Sequence, residues 1–153
     1  MGTMYKAELP TELMRQLEAL EDNADGIFEN MLDAGAEAVV PQVEKDLKRA
    51  ITGEYATGEL ERSLSVAKKK FKDGTRARVI SFKGVSRLQK AKNGKIYKRK
   101  TPARLNEIAA VLEYGKSDQP PRPFMRTAFN AKSDAIAAAM ERVFDEETKR
   151  YQG

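Results

Sequence analysis

Apolar positions recur at three- and four-residue intervals at both ends of the chain and at two-residue intervals in its middle. That change of period predicts helix, then strand, then helix. Thr11 is placed as an N-cap after Pro10, and Leu13, Met14, Leu17 and Leu20 follow at helical spacing. A cluster of cap and turn residues, Asp22-Asn23 and Asp25-Gly26, then precedes a second helical pattern carrying Ile27, Met31, Ala34 and Ala38, and later Leu47 and Ile51. Pro41 lies inside it and predicts a kink or break, because proline removes a backbone donor and crowds the preceding turn. Gly53 ends the pattern, so residues 11–52 read as an amphipathic helical arm.

Residues 57–83 read as a turn followed by a β-hairpin. Thr57 and Ser63 bracket a single helical turn whose Leu60 and Leu64, four apart, face inward together. The period then drops to two. Leu64 and Val66, then Phe71, form one strand, and Ala77 to Phe82 form another, with Asp73-Gly74 as the turn between them. The run Lys68-Lys69-Lys70 suits an edge strand, where charge discourages stray pairing.

Segment 84–104 is assigned as a long exposed basic loop, with a protruding hairpin about Asn93-Gly94 as the alternative. Between Gly74 and Asn106 there are eleven Lys or Arg and no Asp or Glu. Residues 102–150 then give a helix, a Pro-dense turn and a last helix. Thr101-Pro102 is the expected start of the first, as N-cap and first helical residue, and Gly115 its stop. The last helix is expected from near Pro123, with an interruption around residues 130–134 and a buried stripe of Ile136, Ala139, Met140, Val143 and Phe144. Phe124 and Phe129 are both expected in the core.

Composition narrows the chemistry. With 153 residues, 41% of them hydrophobic, one domain with a real core is expected. Cysteine and histidine are absent, which excludes disulfides, thiolate sites, the commonest general base and the commonest metal ligand. No cofactor, metal site or catalytic residue is expected. The opening MGTMYKAELPTEL lacks a secretory pattern, and no window approaches the ~18 apolar residues of a spanning helix, so no membrane role is expected.

Four patterns suggest chemistry. Gly115-Lys116-Ser117 resembles the end of a phosphate loop, but Ala110 stands where that loop needs glycine and prolines follow instead of a helix. Ser65-Val66-Ala67-Lys68 has the spacing of a serine acyltransferase without its companion motifs. Glu59 with Glu61, and Glu107 with Glu113, read as capping or solvated acids instead of catalytic pairs. The basic segment offers phosphate neutralisation by Arg87, Lys90, Lys92, Lys95, Lys98, Arg99 and Lys100, with Tyr97 able to stack. Its alternative is a solvated loop or an arm docking on an acidic neighbour. Lys116 and Arg122, on the Pro turn, complete the candidate partner or nucleic-acid contacts.

Two blocks of residues carry a resemblance. The first is T-G-x-L-x-x-S, here Thr57, Gly58, Leu60 and Ser63. The second is Glu113-Tyr114-Gly115 followed by a turn into Pro121-Arg122-Pro123-Phe124-Met125 and then Ala128. In that order, between helical arms, they are similar to the head–tail joining or tail-completion family of long-tailed double-stranded DNA phages. The resemblance extends over about residues 11–147. Lys116 departs from it, the family more often having Thr there. It implies an α+β fold, with the N-terminal arm and C-terminal helices on a small antiparallel sheet. It also implies a non-enzymatic virion protein of the neck or head-proximal tail, assembled in the host cytoplasm. Expected partners are itself, as a ring with six subunits, and neighbouring neck or tail proteins. DNA contact is possible on that reading, and DNA or RNA binding through segment 84–104 is the alternative function.

Overall fold

The computed structural model describes residues 11–151, apart from the side chains at 13, 14, 16 and 17. The apolar face expected of Leu13, Met14 and Leu17 lies outside the described residues, as does Pro10. The fold is α+β, with helices around two separate two-stranded antiparallel sheets.

The N-terminal arm is one helix, α1, Thr11–Ala50, 40 residues long, or about 60 Å. The helix runs unbroken through Asp22–Gly26 and through Pro41. Asn23 turns its side chain back onto the Ala19 carbonyl at 2.7 Å within the helix, and Asp25 and Glu29 are taken up by Arg76. Gly26 in a helix interior costs about 1 kcal/mol relative to Ala, and burial of Ile27 and Ala34 on the same helix outweighs it. Pro41 deprives the Glu37 carbonyl of its donor, but both residues are exposed, so water satisfies that group.

A 3-10 turn, Gly53–Tyr55, leads to α2, Glu59–Ser63, which buries Leu60. Strands β1, Leu64–Lys70, and β2, Arg76–Phe82, pair in register from Leu64 opposite Phe82 to Lys70 opposite Arg76. The basic segment is an ordered hairpin rather than a loop: β3, Val85–Lys90, pairs with β4, Ile96–Arg104. Both hairpins turn alike. Phe71 and Ala91 donate to the carbonyls of Thr75 and Lys95, the side chains of Asp73 and Asn93 accept the N–H two residues on, and Gly74 and Gly94 take φ of +90° and +86°.

Thr101 and Pro102 belong to β4, not to the following helix. They fall where the register shifts between Ser86 and Leu88, a place where a strand tolerates a residue without an N–H. Helix α3 therefore runs Leu105–Tyr114, and α4 runs Met125–Lys149 without the interruption expected near 130–134. Asn130, Ser133 and Asp134 are exposed and leave the helix intact.

α4 lies antiparallel along α1, with Gly35 against Met140 and Asn30 hydrogen-bonded to Glu147 at 3.2 Å. A Cβ at Gly35 would come within 2.6 Å of the Met140 methyl carbon, so the glycine sets how closely these helices approach. The core joins Val39, Val43 and Leu47 of α1, Leu60, Phe82, and the α3 stripe Leu105, Ile108 and Leu112 to Phe124 and Ala128. Phe124 meets Phe82 edge to face at 6.0 Å. Phe129, expected beside it, is instead 40% exposed, and Phe144 likewise faces water on the outer side of α4.

Candidate functional site

Two carboxylates hold the joints of this fold. Glu59, at the start of α2, accepts the Thr57 and Ser86 hydroxyls on Oε1 at 2.8 and 2.7 Å, and the Arg87 backbone N–H on Oε2 at 2.8 Å. The Ser86 hydroxyl oxygen accepts Nε–H of Arg99 at 3.0 Å, and that N–H also reaches the Leu88 carbonyl at 3.0 Å. The β3–β4 hairpin is thereby tied to α2 by a charge-assisted chain. Burial pushes the Glu59 carboxyl up, and the hydrogen bonds from Ser86, Arg87 and Thr57 outweigh it, leaving it below the ordinary range.

Glu113 does the same at the other joint. It is buried in the last turn of α3, and Oε2 accepts the backbone N–H of Phe124 and of Met125, each at 2.8 Å. Oε1 accepts both the backbone N–H and the Nε–H of Arg126 at 3.0 Å. These are the donors that the first turn of α4 leaves without intrahelical partners, and Phe124 brings no side-chain cap of its own. Burial raises the Glu113 carboxyl as well, and the three backbone donors with Arg126 bring it below its ordinary value. The Arg126 guanidinium lies 5.2 Å from the centre of the exposed Tyr114 ring.

Between these helices sits the Pro corner. Gly115 has φ +78° and ψ 179°, a region open essentially to glycine alone. A Cβ there would stand 2.7 Å from the Pro121 nitrogen and 2.8 Å from the Gln119 carbonyl oxygen. Lys116 and Gln119 exchange backbone hydrogen bonds at 2.9 and 3.0 Å, and Arg122 N–H closes onto the Leu112 carbonyl at 2.6 Å. The corner is a rigid backbone knot with Lys116 to Asp118 and Pro120 to Arg122 on its outside. The helix ends at Gly115, opposite to what a phosphate loop requires. Lys116 Nζ lies 3.5 Å from the Tyr55 hydroxyl, and that hydrogen bond raises its pKa.

The expected contact residues divide between two places. Arg87, Lys92, Lys95, Tyr97, Lys98 and Lys100 are exposed on the β3–β4 hairpin, and Lys90 is half-buried there. Arg99 is turned inward by Ser86 and the Leu88 carbonyl. Lys116 and Arg122 lie on the corner. The 3-10 turn lies between, touching β3 and, through Tyr55, Lys116.

One constellation has no counterpart among the expected sites. Arg78, its side chain 4% exposed, pairs with Glu29 and, at 2.7 Å, with Asp33, while Arg76 reaches Asp25 and Glu29 at 3.0 Å each. The acids recur at i, i+4 and i+8 on α1 and the arginines at i and i+2 on β2. Those two periods, read together, were the signal available in the sequence. Among the described residues no group of three or more His, Cys, Asp or Glu is arranged to hold a metal ion, and no helix is long and apolar enough to cross a membrane.

A family model described as "Bacteriophage HK97-gp10, putative tail-component" matches residues 11–115. The chain belongs to this HK97-gp10-like family of phage tail components. No curated protein and no solved structure matches the chain significantly. The HK97-gp10-like match takes in α1, both hairpins and α3, and ends at Gly115; the Pro corner and α4 lie beyond it. Within the match, the first motif block has a physical reading. Gly58 takes φ +84°, Leu60 is core, Ser63 Oγ donates to the Leu60 carbonyl at 3.1 Å, and the Thr57 hydroxyl oxygen accepts the N–H of Glu59 at 3.4 Å. In the second block, Glu113 caps α4, Gly115 makes the knot, Pro123 leads into the helix and Phe124 fills the core.

Proposed function

We propose that this chain is a non-enzymatic structural component acting in head–tail joining or tail completion of a tailed phage or prophage, as one subunit of a six-membered ring. The observation that carries the reading is membership in a phage tail-component family over residues 11–115. The geometry supports it. Polar groups of unusual placement, Glu59, Glu113 and Arg78, are all consumed in fixing one element to another, which suits a part that must present rigid surfaces to neighbours. The partners are further copies of the chain and adjoining neck or tail proteins, with the Lys116–Arg122 corner as one contact. The place of action is the virion, after assembly in the host cytoplasm.

Peptide mass spectrometry of purified particles tests this reading. The chain should be present in fixed, low ratio to the major tail protein. Particles that are infectious and contain none of it would overturn the proposal. A second reading, DNA or RNA binding through residues 84–104, is favoured by one observation, the eight cations and absence of acids on the β3–β4 hairpin.

A further inference from the structure

Charge is divided between elements to an unusual degree. From Val85 to Arg104 the hairpin carries eight Lys or Arg and no acid, while α1 between Arg15 and Lys45 carries eight Asp or Glu and no base. Among the described residues none of the hairpin cations is in an ion pair. Three of the α1 acids are neutralised by Arg76 and Arg78, and Glu37 and Glu44 remain exposed on the same helix.

Beside Glu37 lies a groove of about 440 Å³, lined by residues of α1, β1 and β2. Ala36, Val40, Pro41 and Val66 line it together with Asp33, Glu37 and Arg78, and Asp33 is already paired with Arg78, which leaves Glu37 as the available acid of the lining. Val66 is 42% exposed although it shares a sheet face with Ile80, which packs onto the core, so this apolar surface lacks a cover among the described residues. The hairpin has the converse make-up. Ile96 and Tyr97, 50% and 47% exposed, stand on opposite faces of β4 near its tip, with Lys98 on the face of Ile96.

We propose that the groove between α1 and β1 of one copy receives the β3–β4 hairpin tip of a second copy. Ile96 covers Val40, Pro41 and Val66, and Lys98, on the same face of β4, and Lys95 at the turn face Glu37 and Glu44. The contact is head-to-tail, one patch against a different patch, as a ring requires. It therefore rests on the ring-subunit reading above and gives that ring its interface. A nucleic acid would use the cations but would leave the exposed Ile96 and the uncovered Val66 unexplained, which is why a second copy is the better occupant. Lys68, also lining the groove, opposes the incoming lysines.

Charge exchange tests the contact directly. Lys95→Glu/Lys98→Glu and Glu37→Lys/Glu44→Lys alter exposed positions, and thermal melts should match the wild type. In sedimentation velocity at low salt the wild type should form an oligomer, and each double variant alone should run as a monomer. An equimolar mixture of the two should regain the oligomer, since every interface in an alternating assembly again joins opposite charges. Ile96→Ala should also release monomer while keeping the charge, and Lys68→Glu should tighten association. Variants that assemble like the wild type would overturn the hairpin contact and leave the ring reading standing. A wild type and a mixture that both remain monomeric would overturn the contact too, with particle composition deciding the function separately. Duplex DNA and single-stranded RNA of equal length form the last arm. If either binds the monomeric wild type and not Lys95→Glu/Lys98→Glu, the hairpin is a nucleic-acid surface and the proposal is wrong.

Discussion

The Glu113 carboxylate accepts the backbone N–H of Phe124 at 2.8 Å, so the last turn of α3 closes the first turn of α4. The two helices are separated in sequence by a ten-residue corner, and this contact makes them one unit. Removing the acceptor leaves donors at Phe124, Met125 and Arg126 that no other side chain meets among the described residues. Glu113→Ala should destabilise the fold by about 3 kcal/mol, and Glu113→Gln, which retains one acceptor oxygen, by about half of that. Urea unfolding of both variants measures the difference.

The same carboxylates set the acid limit of stability. The folded-state pKa values of Glu113 and Glu59 lie below the ordinary 4.5, because native hydrogen bonds outweigh the opposing effect of burial. Their contribution is fully present above that ordinary value and is lost as pH falls through the lower folded one. Denaturation midpoints should therefore hold from pH 7 to about 5 and fall below 4.5. The Glu113→Gln variant should show a shallower fall over the same window.

Gly115→Ala should be among the most damaging small substitutions in the chain. It forces a side chain into a glycine-only conformation and places a methyl 2.7 Å from the Pro121 nitrogen, at a cost of about 3 kcal/mol. Gly94→Ala, with φ +86° but nothing within 4 Å, should cost about 1 kcal/mol. Thermal melts of the two variants compare a closed, glycine-only position with an open one.

Arg78→Ala should lower the melting midpoint more than Arg76→Ala. The Arg78 side chain is 4% exposed against 19% for Arg76, and it bridges two acids of α1 from the middle of β2. Arg78→Lys should not rescue it, since an ammonium cannot reproduce the forked geometry. Hydrogen exchange should show β1–β2 amides losing protection first.

What the sequence disclosed depended on how local the cause was. The Asp73-Gly74 turn, the Gly115 stop and the Leu60 and Phe124 core positions were legible because their signals lie within a few residues. The arm was read as interrupted because Asp25 and Gly26 look like a turn in isolation. Only the pairing of Asp25 and Glu29 with Arg76, some fifty residues on, shows why the helix continues. Pro102 misled for a similar reason: it looks like a first helical residue and occupies a register shift in β4. Phe129 follows the helical period of its neighbours yet faces out, since Phe124 and Ala128 fill the space against Phe82 and α3. At the candidate site, Glu113 was visible as part of a motif, but its role required knowing that α4 begins beside it.

Membership in a phage tail-component family gives this chain a structural role in the tail. Its coding sequence can be deleted from the phage or prophage that carries it and the particles counted by electron microscopy. Filled heads and separate or aberrant tails are expected, with joining restored by the wild-type chain supplied in trans. Normal numbers of joined, infectious particles from the deletion would contradict that role.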